Sequence, residues 1–280
     1  MKRKAWFLLV SLLALISAAP AQTVEQTLAY ADSLFDAGRT TDALPVYERT
    51  AFFMRPSIDA RILGRLADCF YDDGNLEKAL EYYDHSYFAE PNDSIKKEIL
   101  FRKSACFLKS HNYNFALIEL LNLEDSLSPH FEHLRNLYLG ITYFGMEDFD
   151  KAGGYFAMAA PNQATRDEIR RIFDDRKAFF RPKPRLAFWL SLFIPGSGQI
   201  YAGQVGAGIN SLMLTGLLIG LGFYIASVST PLDAIFTALP WFQRYYQGGY
   251  MRATEFATTR RMENRNRIFN KVLELADRGT

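Results

Sequence analysis

Histidine and cysteine are scarce in this 280-residue chain, and their scarcity narrows its chemistry first. The four histidines, His85, His111, His130 and His133, all precede residue 134. Neither G-x-S-x-G, a phosphate-binding glycine loop nor H-E-x-x-H occurs. His130 and His133 stand a helical turn apart, but Pro129 marks a helix start there, so neither a metal nor a cofactor is expected. The two cysteines, Cys69 and Cys106, have no C-x-x-C spacing. Net charge is nearly absent, with 32 Lys+Arg against 31 Asp+Glu, which leaves no basic field for nucleic acid. Charge vanishes altogether from Leu186 to Leu232.

The N-terminus carries a targeting pattern. Lys2-Arg3-Lys4 is a basic n-region, Ala5 to Ser17 an apolar h-region, and Ala19-Pro20-Ala21 a small-residue cleavage site before Gln22. Residues 1–21 therefore read as a signal peptide, with an uncleaved anchor as the alternative. Either form exports the segment that follows.

From residue 22 to 180 the chain repeats itself. Ala43, Ala79, Ala116 and Ala152 recur every 36 or 37 residues. Twelve positions before them stand Ala31, Ala67, Ser104 and Gly140, and three beyond those stand Leu34, Phe70, Phe107 and Tyr143. Four after the alanines come Tyr47, Tyr83, Leu120 and Phe156. Small residues suit close helix crossings, and large apolar residues fill the gap to the next helix. Gly38 and Gly74 fall where a first helix must end in a left-handed cap; His111 holds that place in the third unit. Pro56, Pro91 and Pro129 stop or follow second helices. The segment 165–180 reads as a further amphipathic helix closing the array.

The pattern resembles the tetratricopeptide repeat family, most closely in "LADCFYDDGNLEKALEYYDHSYFAEP". The resemblance implies an all-α fold, a helical-pair solenoid whose first helices line a concave groove that binds proteins or peptides. The implied groove positions are Phe35, Tyr71, Leu108 and Phe144, with Asp32, Asp68 and Ile141 in a neighbouring set and Asp36 and Asp72 in another. Its N-terminal half then reads as acidic over an aromatic floor, inviting basic groups from a partner; a solvated acidic face is the alternative. Cys69 and Cys106 occupy equivalent places in adjacent units. First helices pack about 8–10 Å apart, too far for a disulfide, so both read as buried apolar residues.

The uncharged run is long enough for two bilayer passages, roughly 186–203 and 206–228, since one needs about 20 residues. A buried soluble hairpin is the alternative. Arg181-Pro182-Lys183-Pro184-Arg185 reads as a stiff basic linker. Trp241, Phe242, Tyr245, Tyr246 and Tyr250 suit a membrane interface or a marginal third span. Three spans would carry the basic tail (251–280) to the side opposite the linker, which charge favours; two would leave it on the same side. The tail's Ile268, Val272 and Leu275 form one stripe, fit for lipid, a partner helix or plain packing.

Within that run, Pro195, Gly196, Gly198, Gln199, Tyr201 and Gly203 form an element similar to the Pro-Gly-x-Gly-Gln-x-Tyr-x-Gly motif of the two-transmembrane-helix domain family, over 186–250. That resemblance implies a transmembrane hairpin turn. Physically, Pro195 ends a helix, the glycines allow a tight turn, and Gln199 and Tyr201 can bond backbone groups that lipid cannot satisfy. Gly203, Gly206 and Gly208 let the next helix approach closely. Ser197 lacks a downstream histidine as base, so it does not read as a protease nucleophile. Together these features predict a non-enzymatic scaffold in the bacterial inner membrane, with repeats facing the periplasm and envelope proteins as partners. The alternative is a membrane module (181–250) that oligomerises, handles lipid or assists membrane-protein insertion.

Overall fold

The computed structural model describes residues 22–54, 58–123 and 127–277; the leader and Pro56 lie outside them. The described residues form fifteen helices and no strand. They divide into two compact units between Met146 and Glu147, not at 180/181 where composition changes.

The first unit holds α1 (Val24–Asp36), α2 (Thr40–Met54), α3 (Ala60–Asp73), α4 (Leu76–Ala89), α5 (Asp93–Lys109), α6 (Tyr113–Leu121) and α7 (Pro129–Gly145). Each helix packs on its neighbour in sequence. Side-chain caps start them: Thr23 and Gln26 form a reciprocal box, and Asp59, Asn75, Asn92 and Ser128 accept first-turn N–H bonds. The in-phase residues are its core. Ala31, Ala67, Ser104, Ala43, Ala79 and Ala116 are fully buried, with Tyr47, Tyr83 and Leu120 packed beside them.

The turns within the helix pairs share one conformation. Gly38 and Gly74 have φ of 73° and 85°, and the equivalent His111 has 59°. Arg39 N–H reaches Leu34 O, Asn75 N–H reaches Phe70 O and Asn112 N–H reaches Phe107 O, the same six-to-one closure each time. Glu147, at the fourth equivalent position, also lies at positive φ, 61°. Left-handed turns thus persist where glycine is replaced. Cys69 and Cys106 are buried and unbonded, and loss of hydration pushes both thiols up to about 12.

The second unit begins with α8 (Phe149–Ala159), α9 (Gln163–Asp174) and α10 (Arg176–Phe180). Then come α11 (Pro184–Phe193), α12 (Ser197–Tyr201), α13 (Val205–Val228), α14 (Pro231–Thr237) and α15 (Leu239–Asp277). The expected passage at 186–203 is not one helix. At 10 residues α11 rises only about 15 Å, half a bilayer core. Among the described residues, only α13 is long and apolar enough to cross a membrane, with a mean hydropathy of 1.9.

The 39 residues of α15 run unbroken through 250/251, where a separate tail helix was expected. Its first half returns along α13: Ser211 faces Gly249, and Gly222 faces Ala238, the residue just before α15 begins. Its second half packs on α8, α9 and α10. Arg265 donates to Glu147 Oε1 (2.6 Å) and to Phe179 O (2.9 Å), and Lys271 pairs with Glu168 (2.8 Å). Asn264 donates to Arg181 O (3.3 Å), so the tail lies beside the basic linker and not across a membrane from it. The Val272 and Leu275 stripe is buried against the protein itself.

Candidate functional site

Two groups of side chains were singled out in the sequence, one in each unit. In the repeats, Asp32, Asp36 and Asp68 already have basic partners from the chain itself. Tyr47 donates its hydroxyl to Asp32 (2.6 Å), and Arg61 and Arg65 bond the same carboxylate (3.1 and 2.7 Å). Arg65 also pairs with Asp36 (3.1 Å) and lies 4.8 Å from the Phe35 ring centre. One repeat on, Tyr83 donates to Asp68 (2.6 Å) and Arg102 pairs with it (2.5 Å). Lys109 stands 4.2 Å from the Tyr71 ring and donates to the Tyr71 carbonyl. Asp72 is exposed, whereas Leu108, Ile141 and Phe144 are half-buried.

The carboxylate, hydroxyl and guanidinium therefore form a clamp joining both helices of a pair to the first helix of the next. It occurs twice and then stops. Ala105 and Leu120 stand at the third unit's equivalent positions, and Ile141 and Phe156 at the fourth's, so acid and phenol disappear together. The arginines were missed in the sequence because they lie nearly one repeat downstream, 33 residues after Asp32 and 34 after Asp68. That spacing was the available signal.

The two clamps differ electrostatically. Desolvation acts against the Asp32 charge, but bonds from Tyr47 and Arg61 and the charge of Arg65 hold its carboxyl below the ordinary 3.8. At Asp68, desolvation and nearby Asp72 outweigh Arg102 and Tyr83, and the carboxyl is raised. Both phenols are raised as well, by burial first and then by the adjoining carboxylates.

In the second unit the Pro-Gly element closes a compact knot. Pro195 follows the end of α11, and Gly196 turns the chain at φ 89° into α12. A methyl group on Gly198 would overlap the Ala187 carbonyl, and one on Gly208 would press on Ile200 and the Gly196 carbonyl. Gly203 has φ 88° but open space around it, and Gly206 is also unconfined, so only Gly208 makes the expected close approach. Polar atoms in the knot satisfy one another. Gly198 N–H donates to Ser191 Oγ (3.0 Å), whose hydroxyl donates to Gln199 Oε1 (2.9 Å). The Gln199 amide then donates to Gly249 O in α15 (2.8 Å). Lys183 N–H donates to the Tyr201 hydroxyl (3.0 Å), and the Tyr246 hydroxyl donates to Leu192 O. Ala187, Ala202, Ala253 and Ala257 pack beneath this relay, small enough for the helices to close on it. Gln199 thus ties three helices together at 2% exposure.

Among the described residues, no three His, Cys, Asp or Glu side chains cluster to hold a metal ion. No family model, no curated protein and no solved structure matches the chain.

Proposed function

We propose that the protein is a membrane-anchored adaptor. Its repeats form a tetratricopeptide-type solenoid that binds protein or peptide partners, and α13 with α14 and the first half of α15 forms the transmembrane hairpin. The observation that carries the reading is the recurrence of one left-handed turn at residues 38, 74, 111 and 147, in phase with the buried small residues. A chain that keeps this turn through His111 builds the same helix pair three times in the first unit, and Glu147 carries the same backbone conformation at the fourth position. Stacked pairs present extended surfaces suited to binding other chains. Asp32 and Asp68 are occupied internally, so the proposed contact surface shifts to Tyr71, Asp72, Leu108 and Phe144. The leader pattern supports export, giving an inner-membrane protein with periplasmic repeats.

A photo-crosslinking residue placed at Tyr71 or Phe144 of the full chain tests this in cells. The same discrete adducts are expected from both sites, and none from Phe88, an exposed second-helix position. Equal capture from Phe88 would refute a specific groove. A second reading makes the membrane module the active part, and the polar relay around Gln199 favours it, because an anchor alone has no use for one.

A further inference from the structure

A cleft of about 370 Å³ opens between α13 and α15, beside the Gln199 relay. Its walls carry Asn210, Ser211 and Thr215 from α13, with Arg244 and Arg252 from α15. We propose that this cleft binds the phosphate headgroup of an anionic phospholipid, with the acyl chains lying along α13. The proposal rests on the reading of α13 as a membrane-crossing helix.

Three observations on the cleft point the same way. First, Arg244 and Arg252 stand two turns apart on one stripe of α15, with Gly248 leaving space between them. Neither forms an ion pair within the described chain, whereas Arg260 and Arg265 on the same helix both do. Second, the Thr215 hydroxyl has no partner, although the residue is only 2% exposed. Helical threonines elsewhere in the chain, Thr142, Thr254 and Thr258, donate to the carbonyl four residues back. Thr215 departs from that habit, and it lines the cleft. Third, Arg244 lies alongside Thr215, some ten residues into a 24-residue helix, so its charge falls well inside an apolar layer. An uncompensated guanidinium there is costly, and intramembrane charge is retained where it meets a counter-charge.

The nearby acids do not supply one. Asp233 is bonded by Ser229 and Thr230, and Glu255 does not line the cleft. Two guanidiniums two turns apart on the wall of one cleft suit a tetrahedral phosphate, which accepts bidentate bonds. Asn210, Ser211 and Thr215 can donate to its remaining oxygens. The apolar half of the ligand has a place too, since Leu217, Leu221 and Phe223 are exposed on α13 beyond the cleft. A free anion would leave that surface unused.

Native mass spectrometry of the full-length protein in neutral detergent tests the proposal. Phosphatidylglycerol, phosphatidylcholine and inorganic phosphate are titrated separately. Wild type should retain phosphatidylglycerol at least tenfold better than phosphatidylcholine, and millimolar inorganic phosphate should not displace it. The double variant Arg244→Gln/Arg252→Gln should lose about tenfold in retention and Thr215→Val a few-fold, while Arg260→Gln should match wild type. Equal retention of the two lipids, or undiminished retention by the double variant, would overturn the headgroup site. Displacement by inorganic phosphate would assign a free-anion site instead, and a dimer whose second copy fills the cleft without lipid would also overturn it. Alkaline extraction of cell membranes reads the underlying premise separately: release of the chain sinks membrane insertion itself, whereas retention without selective lipid adducts sinks only the headgroup site. Circular dichroism of each variant confirms that losses do not reflect unfolding.

Discussion

Removing Asp68 tests whether the clamp is a single unit or three independent contacts. In Asp68→Ala the Tyr83 hydroxyl, on a residue 2% exposed, loses its acceptor, and Arg102 loses its partner. An orphaned buried hydroxyl costs about 1–3 kcal/mol. The Arg102 side chain is 45% exposed, so its pairing adds at most about 1 kcal/mol after solvent screening. The single variant should therefore lose about 2–3 kcal/mol. Adding Tyr83→Phe removes the orphan and should restore about 1–2 kcal/mol of that loss. The chain itself supplies the precedent, since Ala105 and Leu120 hold the same two positions one repeat later. Hydrogen exchange of α3 to α5 peptides in the full-length protein reads the effect locally, each 1.4 kcal/mol appearing as about a tenfold change in protection. Protection should fall by roughly thirty- to a hundredfold in Asp68→Ala and recover about tenfold in the double variant. Effects that add within about 0.5 kcal/mol would refute the clamp as a coupled unit.

The same two acids should separate with pH. The raised carboxyl of Asp68 contributes full stability below pH 3.8 and loses it as pH climbs through its folded value. The lowered carboxyl of Asp32 contributes fully above 3.8 and loses that only as pH falls through its folded value. Acidifying from pH 7 to 3.8 should thus raise α3–α5 protection more in wild type than in Asp68→Asn, and an identical response in the two would refute it. In the membrane module, Gly198→Ala should lower thermal stability in detergent by about 3 kcal/mol or more, because its methyl meets backbone at Ala187. Gly203→Ala, strained only by its φ of 88°, should cost about 1 kcal/mol; equal losses would contradict the close packing at Gly198.

The helical repeat was legible because alanine and serine at fixed phase leave few other packings. Its third turn was not, because His111 adopts a conformation that sequence associates with glycine, as Glu147 also does. Neither residue announces the left-handed φ, although small in-phase residues stand on either side, Ser104 and Ala116 around His111 and Gly140 and Ala152 around Glu147, as they do around Gly38 and Gly74. Hydropathy gave the extent of the uncharged run but not its path. One continuous apolar stretch holds α11, α12 and α13, since Pro195 and Gly196 break the helix without changing its polarity. The opposite error arises in α15. Its composition shifts near residue 250, yet the backbone does not, because its first half faces α13 and its second half faces α8 to α10. The arginine partners of Asp32 and Asp68 were hidden for a third reason: a contact between repeats joins residues that no local window includes.

The path of α15 also decides how charge is distributed if α13 crosses a bilayer. Gly222 beside Ala238, just ahead of α15, and Ser211 beside Gly249 make the first half of α15 a return passage. Asn264 on Arg181 and Arg265 on Phe179 then bring the tail back to the linker. Arg176, Lys177, Arg181, Lys183 and Arg185 therefore share one side with Arg260, Arg261, Arg265 and Arg267, and the turn at the far end of α13, residues 229–232, has no basic residue. By charge alone that basic side belongs in the cytoplasm. The leader pattern argues for export, and it emerges first. Long domains translocate largely regardless of their charge, so a chain already committed through residue 180 carries its basic side with it. On the proposed orientation these residues meet the outer leaflet, where anionic headgroups are the counter-charge at hand. That gives Arg252, at the mouth of the α13–α15 cleft, the same ligand chemistry as the linker and tail.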